Sequence, residues 1–126
     1  MNKTICFTRR DALTTAGPGV LLLHVPDASG NSDACDRFEQ VINRALASRP
    51  RLVVVNLSEA ESVSTVMLGL LLKLRRGAIA FGGEVRLVEV QPMVRRVLDI
   101  CRLDKLFGVF STAEAAMEAS ATSAAI

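Results

Sequence analysis

The segment from residue 52 to residue 74 constrains the fold more than any other part of the chain. It opens with the apolar run LVVVNL, in which only Asn56 is polar, and such a run is typical of a strand that is buried on both faces. A short polar link follows, and then the apolar, helix-forming stretch MLGLLLKL. Because such a strand must be covered by packed helices, the segment predicts an α/β domain with a central buried strand.

Ser64 and Thr65 place two hydroxyl groups at the start of that helix. The first turn of a helix has N–H groups without intrahelical partners and carries a partial positive charge. A hydroxyl at this point can therefore cap the helix, or it can carry a phosphate in a favourable position. The residues alone leave both roles open.

The composition predicts an aliphatic core, because 50% of the 126 residues are hydrophobic but only 4% are aromatic. The chain has no Trp and no Tyr on which bases could stack, which argues against nucleic acid as a partner. Its length predicts a single domain over residues 1–126, with a frayed tail from about residue 119.

The cysteines and the charge pattern favour a cytoplasmic protein. Cys6, Cys35 and Cys101 are odd in number and lack CxxC spacing, so we expect small buried side chains rather than disulfides or a metal site. The net charge of +2 comes from interspersed charges of both signs. The sequence shows no leader-like apolar region near Met1, and its apolar runs are shorter than the roughly 20 residues of a membrane span. We therefore expect no direct membrane insertion.

Turn signals and hydrophobic periodicity predict the elements of the first half of the chain. Residues 3–7 and 19–25 are predicted to form two strands of a hairpin, connected by the turn-rich residues 11–19. Residues 31–48 have apolar side chains at three- and four-residue steps, which predicts an amphipathic helix. The buried strand over residues 52–57 follows it.

The middle of the chain repeats this order. A second helix is predicted from about residue 64 to residue 80, ended by Gly82 and Gly83. Residues 84–90 alternate as a strand, with Val85 and Leu87 on one face and Arg86 on the other.

The last part of the chain predicts a helix, a strand and a helix. Pro92 suits the start of a third helix, whose predicted apolar stripe consists of Met93, Val94, Val97, Leu98 and Cys101. Residues 106–110 predict a short strand, and residues 111–114 predict a capping box onto a final helix, with Ser111 or Thr112 as the cap. Strands and helices thus alternate after the hairpin. Right-handed crossovers then give a mostly parallel, mixed sheet of about five strands with about four helices.

Two stretches of this sequence carry a resemblance to a known family. They are VVVNLSEAESVS, and GGEVRLVEVQPMVRRVLDICRLDKLFGVFSTAEAAMEA. Together with the order of elements, they resemble the STAS domain of bacterial anti-sigma factor antagonists and of the cytoplasmic tails of sulfate transporters. The resemblance covers most of the chain and implies the STAS fold.

In the STAS family an Asp-Ser-Ser-Gly loop precedes the second helix, and its serine is phosphorylated by a kinase that is also an anti-sigma factor. The resemblance places Ser64 at the aspartate, Thr65 and Val66 at the two serines, and Met67 at the glycine. Val66 has no oxygen to phosphorylate, so the candidate phosphorylation sites are Thr65 and Ser64. Capping is the alternative role for both.

Two further residues depart from the family pattern. Asn56 stands where the family usually has aspartate, which removes a charge near the loop. Arg102 stands where the family has glycine, in the turn that closes the third helix, and a non-glycine residue is costly there if φ is positive.

The resemblance implies a protein that works by binding and not by catalysis, without a cofactor. We expect it to capture a kinase-type anti-sigma factor, to which any ATP would belong. The expected partner-binding residues are Asn56, Ser62, Ser64, Thr65, Val66 and Met67. For Met67, core packing is the alternative.

Two other roles remain open. STAS domains also serve as subunits of lipid-transport ATPase complexes, where an Asp-Thr-Ala form of the loop is known and is closer to Ser64-Thr65-Val66. A stressosome-like scaffold, or a dimer, is the other alternative.

No catalytic group is evident in the sequence. His24 stands alone in a predicted strand, and Cys101 has a cationic neighbour but no histidine to activate it. We therefore expect no enzyme activity.

Overall fold

The chain forms a hairpin followed by alternating helices and strands in the computed structural model, which describes residues 13–26 and 32–118. The strands are β1 (Leu13–Gly17), β2 (Val20–His24), β3 (Leu52–Asn56), β4 (Glu84–Val88) and β5 (Gly108–Phe110). The helices are α1 (Ser32–Ala47), α2 (Thr65–Ala80), α3 (Pro92–Ile100) and α4 (Ala113–Glu118), with a 3₁₀ turn at Leu103–Lys105. The predicted α/β class, with a five-stranded mixed sheet and four helices, is confirmed over these residues.

The strands lie in the sheet in the order in which they occur along the chain, β1-β2-β3-β4-β5. The β1–β2 pair is antiparallel, and the other three pairs are parallel. All five residues of β3 are buried, as the apolar run predicted. In register, Asn56 lies between His24 of β2 and Val88 of β4, so these residues mark the carboxyl edge of the parallel strands.

The two faces of the sheet are covered unequally. On one face, Val53 and Val55 of β3 belong to the larger core cluster, which contains buried residues of α1, α2 and α3. On the other face, Leu52 and Val54 belong to a smaller cluster with Ala116 of α4. The short helix α4 thus covers the part of this face that lies over β3, β4 and β5.

The hairpin forms from a different first strand than the one we expected. Residues 13–17, predicted as part of a turn-rich connection, form β1. The turn itself is only Pro18-Gly19, where Gly19 has a φ of 74° that suits glycine. Thr14 and Thr15 are β-branched, which favours extended backbone and outweighs the nearby turn residues. The strand predicted at residues 3–7 lies outside the described residues.

Both ends of α2 agree with the sequence prediction. Ser64 is the N-cap, and Phe81 is the C-cap. Gly82 has a φ of 87°, and the N–H groups of Gly82 and Gly83 donate to the carbonyls of Ile79 and Ala78 at 3.0 and 2.8 Å. This double hydrogen bond is a Schellman motif, which satisfies the last carbonyls of the helix.

The predicted apolar stripe of α3 is only partly buried. Val94 and Leu98 are fully buried, but Met93 is 56% exposed and Cys101 is exposed as well. The prediction of a buried Cys101 is therefore wrong, whereas Cys35 is buried as expected. Cys101 falls on the C-cap of α3, where the helix ends before another buried position is reached.

Two smaller predictions also need correction. The strand predicted over residues 106–110 begins only at Gly108, because Leu103 and Phe107 are buried and the N–H of Phe107 donates to the carbonyl of Leu103. The strand predicted over residues 84–90 ends at Val88. Of the two predicted caps before α4, Thr112 is the one that accepts a hydrogen bond, from the N–H of Ala115 at 3.1 Å.

Arg102 adopts the left-handed conformation that the resemblance indicated, with φ 61° and ψ 26°. Arg102→Gly should stabilise the domain by about 1 kcal/mol, because a left-handed non-glycine residue costs roughly 1–2 kcal/mol and glycine avoids most of that cost. Thermal unfolding measures the gain as a rise in Tm of about 4 °C. Arg102→Ala is the matched control, since it removes the same charge and keeps the strain. A gain that Arg102→Ala reproduces would contradict the backbone explanation.

Candidate partner-binding site

The loop between β3 and α2 is anchored by two buried residues. Leu57 is 0% exposed and Ala60 is 1% exposed. The N–H of Leu57 donates to the carbonyl of Val88 at 3.1 Å, and the N–H of Ala60 donates to the carbonyl of Leu57 at 3.1 Å. Ser58, Glu59, Glu61 and Ser62 are exposed around these anchors. The loop therefore presents polar side chains from a fixed base.

Ser64 caps α2 in the way that the sequence predicted. Its backbone is extended, with φ −90° and ψ 168°, and its Oγ accepts a hydrogen bond from the N–H of Met67 at 3.1 Å. This bond satisfies one of the free N–H groups at the start of the helix. Thr65 is the first helical residue, and it is exposed.

The first turn of α2 divides its apolar residues between the surface and the core. Val66 is 59% exposed, whereas Met67 is only 2% exposed and belongs to the larger core cluster. Met67 therefore packs in the core and is not available as a surface contact. Leu68 is partly buried against the same cluster. The exposed apolar side chain that the first turn offers to a partner is that of Val66.

Asn56 lies beneath this loop and is 7% exposed. Its Oδ1 accepts a hydrogen bond from the N–H of Ser58 at 2.8 Å, and its Nδ2 donates to Oε2 of Glu89 at 3.2 Å. Asn56 is thus a support for the loop and offers little surface to a partner. Among the residues that the sequence proposed for binding, the structure brings Ser62, Ser64, Thr65 and Val66 to the surface.

Several carboxylates are exposed at the carboxyl edge of the sheet. Glu59 and Glu61 of the loop are exposed, and so is Glu89, which follows β4. Met93 is also exposed in the first turn of α3, which begins at the same edge as α2, and Arg95 and Arg96 are exposed after it. The site therefore combines carboxylates with the exposed apolar side chains of Val66 and Met93.

Within residues 13–26 and 32–118, His, Cys, Asp and Glu form no group of three or more that could hold a metal ion. No helix in this part of the chain is long and apolar enough to cross a membrane. His24 is partly buried and lies next to Asn56 in register.

The model of the STAS domain family matches residues 16–116, which include every strand after the first part of β1 and the loop before α2. The chain belongs to the STAS domain family. This confirms the resemblance that the sequence motifs indicated. The match runs through Thr65, at the position where the resemblance puts the first serine of the family loop.

Several known proteins are similar to this STAS domain. A STAS-domain containing protein of Pseudomonas aeruginosa is 32% identical over 83 residues, which cover 66% of this chain and 77% of that protein. A solved anti-sigma factor antagonist from Mycobacterium paratuberculosis is 26% identical, with a TM-score of 0.67 over 86% of this chain and 93% of that one. The anti-sigma factor antagonist SpoIIAA, in its unphosphorylated form, has a TM-score of 0.72 at 19% identity, covering 84% of this chain and 91% of its own, and shares the fold. SpoIIAA has also been solved in a phosphorylated form.

Three residues of the site escaped the sequence prediction. Glu89 and Gln91 reach the loop from the β4–α3 connection, and Met93 is exposed where a buried stripe was predicted. Only the parallel pairing of β3 with β4 brings these residues next to the loop. The sequence signal for Glu89 is Asn56 itself, which stands where the family usually has aspartate. An amide has an NH₂ group to donate, so it needs an acceptor that an aspartate would not.

Proposed function

We propose that this STAS domain is an anti-sigma factor antagonist that captures a kinase-type anti-sigma factor. Its binding surface consists of Ser62, Thr65 and Val66 with Met93, around the cap at Ser64. The observation that carries this proposal is the exposed Val66 at the start of a helix whose adjoining loop is pinned by buried residues. An exposed apolar side chain on a fixed base loses little entropy on binding. The relative from Mycobacterium paratuberculosis, named as an anti-sigma factor antagonist, supports the same role.

The charges around this surface indicate the chemistry of the partner. Glu59 and Glu61 are exposed in the loop before α2. A partner surface with basic side chains around an apolar pocket would complement them. Such complementarity chiefly raises the association rate, so binding should weaken as salt is added.

Thr65 is the phosphorylation site in this proposal. Its hydroxyl lies at the first helical position and is exposed, whereas the Oγ of Ser64 is engaged as the cap. A phosphate on Thr65 would add nearly two negative charges to a surface that already presents Glu59 and Glu61. The partial positive charge at the N-terminus of α2 would stabilise this phosphate. The phosphate would make the acidic surface still more negative and block Val66 from its pocket. ATP and the transferred phosphate come from the partner kinase.

A second candidate function is supported by the side chain at position 66. Val66 has no hydroxyl, so docking through Val66 needs no phosphate switch at that position. A STAS subunit of a lipid-transport ATPase complex would use the same exposed turn of α2 as a permanent contact. The two functions differ in the partner and in the state of Thr65.

The test is a pull-down from lysate of the host cells, combined with mass spectrometry of residues 53–73. The first function predicts a bound kinase-type anti-sigma factor and phosphate on Thr65. An unmodified segment with a bound transport ATPase would contradict it and support the second. Titration calorimetry with the captured kinase then measures the contribution of Val66.

Val66→Asp should weaken kinase binding by about tenfold or more, because it places a charge in an apolar contact and adds to an acidic surface. Ile79→Asp is the matched control, since Ile79 is 48% exposed on the same helix but lies near its other end. This control should bind like the unmodified protein. Equal affinity of the Val66→Asp protein would contradict the proposed surface.

A further inference from the structure

The two polar atoms of the Asn56 side chain form hydrogen bonds with two different loops. Oδ1 accepts from the N–H of Ser58, two residues along the same chain segment. Nδ2 donates to the carboxylate of Glu89, which follows the neighbouring strand β4. With only 7% of Asn56 exposed, little water can replace either bond.

Opposite the carboxylate of Glu89, the amide of Asn56 satisfies both bonds in one orientation. Turning the amide over would aim its NH₂ group at the N–H of Ser58 and its oxygen at the carboxylate of Glu89. An aspartate could accept from Ser58, but its second oxygen would face the carboxylate of Glu89, and two like charges at this separation repel. Asn56 and Glu89 are therefore a matched donor and acceptor.

The β4–α3 connection is shaped to complete this contact. Glu89 has a φ of 51°, a left-handed conformation that is uncommon for a non-glycine residue. Two residues later, Nε2 of Gln91 donates to the carbonyl of Ser58. Gln91 is the N-cap of α3, yet its side chain makes no capping bond to that helix. The connection thus accepts backbone strain at Glu89 and gives up a capping bond at Gln91, and both side chains instead reach the loop before α2.

We propose that Asn56, Glu89 and Gln91 form a latch that fixes the partner-binding loop before the partner arrives. They are positioning residues, because they act through Ser58 and Leu57 and not through contact with the partner. The latch joins the β3–α2 loop to the β4–α3 loop beside the bond from Leu57 N–H to the Val88 carbonyl. Its role in binding rests on the proposed function, but its effect on the loop does not.

The test uses four variants of the full chain: Asn56→Asp, Glu89→Gln, and the two doubles Asn56→Asp/Glu89→Gln and Asn56→Asp/Glu61→Gln. In the first double, the new amide at position 89 can donate to the new carboxylate at position 56, so the pair is restored with donor and acceptor exchanged. In the second, the same net charge is reached at Glu61, which is exposed in the loop and lies outside the latch. The second double is therefore the matched control for charge.

Residue-resolved hydrogen exchange by NMR measures the latch without any partner. Asn56→Asp should speed exchange of the Leu57 amide at least about tenfold, because repulsion from Glu89 opens the neighbouring bond to Val88. Glu89→Gln alone should stay within about threefold of the unmodified protein, since its side-chain oxygen still accepts from Asn56. Addition of Glu89→Gln to Asn56→Asp should restore slow exchange, and addition of Glu61→Gln should not. Unchanged exchange in Asn56→Asp, or equal rescue by both doubles, would overturn the latch.

A variant outside the sheet keeps the proposal testable if Asn56→Asp fails to fold. Gln91→Glu turns the donor to the Ser58 carbonyl into an acceptor, so this bond to the loop is lost. The loop should then open more often at the bond from the Ala60 N–H to the Leu57 carbonyl, and exchange of the Ala60 amide should speed up about tenfold. Affinity for the kinase-type partner should follow the exchange results, with a loss of about tenfold in Asn56→Asp and recovery in Asn56→Asp/Glu89→Gln. Specific rescue of exchange without any kinase binding by the unmodified protein would keep the latch and reject the proposed function. Normal affinity despite a tenfold faster exchange would reject the role of the latch in binding.

Discussion

Gly83→Ala should lower the free energy of unfolding by about 3 kcal/mol. Gly83 is buried, and a Cβ at this position would lie 2.6 Å from the carbonyl oxygen of Pro50 and 3.3 Å from that of Ala78. Both are backbone atoms, so no side chain can rotate away to make room. The carbonyl of Ala78 also accepts the N–H of Gly83, so relief of the clash would break the Schellman bond that ends α2. Chemical denaturation measures the loss.

Gly69→Ala is the matched control for this prediction. Gly69 lies in the interior of α2, and a Cβ there would meet no atom within 4 Å. Alanine should therefore stabilise the domain by about 0.5–1 kcal/mol, through its better helix propensity. Opposite signs for the two substitutions would establish that close backbone approach, and not the loss of a glycine as such, determines the result. A loss of stability below about 1 kcal/mol in Gly83→Ala would contradict the predicted clash with the Pro50 carbonyl.

Arg86→Ala should cost about 3 kcal/mol and loosen α4 on the sheet. The guanidinium is buried, with 3% of the side chain exposed, and NH2 lies 2.9 Å from the carboxylate of Glu84. NH1 donates to the carbonyl of Ala116 in α4, and the guanidinium carbon lies 5.5 Å from the ring centroid of Phe110. The variant leaves the Glu84 carboxylate and the Ala116 carbonyl without this donor. A helix of six residues depends on tertiary contacts, and Arg86 supplies one of them beside the packing of Ala116 with Leu52 and Val54, so α4 should open more often in the variant.

Hydrogen exchange of residues 113–118, together with chemical denaturation, measures both effects. Arg95→Ala is the control, because its ion pair with Asp99 is exposed, with Nε 3.4 Å from Oδ1 and about half of each side chain accessible. That change should alter stability by no more than about 0.5 kcal/mol. Retained protection in α4 with a loss below about 1 kcal/mol would contradict the role assigned to Arg86.

The elements that could be predicted from the sequence are those whose signal is local. The strand β3, apolar except for Asn56, and the glycine pair after α2 each carry their own signal, and both were predicted correctly. The strand at Leu13–Gly17 was missed because Thr14 and Thr15 stand among turn residues, and their pairing with β2 depends on a tertiary contact. Position 86 shows the same limit. Alternation put Arg86 on the face opposite Val85 and Leu87, but its burial depends on the docking of α4 and on the ring of Phe110.

The candidate site likewise has some features with a local sequence signal and others that depend on tertiary contacts. The cap at Ser64 follows from the position of a hydroxyl before an apolar helix, and it was predicted. The division between buried Met67 and exposed Val66 depends on the rotation of α2 against the sheet, which the continuous apolar pattern does not specify. Glu89 meets Asn56 only through parallel strand pairing, so no short sequence window contains the latch.

The order of the strands has a consequence for how the domain is made in the cell. Among the strands that the structure describes, each pairs with its predecessor and its successor along the chain. A ribosome releases the chain in that same direction, so every strand finds its template already synthesised when it emerges. The longest closure required at any step is one strand-helix-strand crossover, which keeps the entropy cost of each addition low. The sheet can therefore grow from its hairpin during translation, one strand at a time, without waiting for the C-terminal residues.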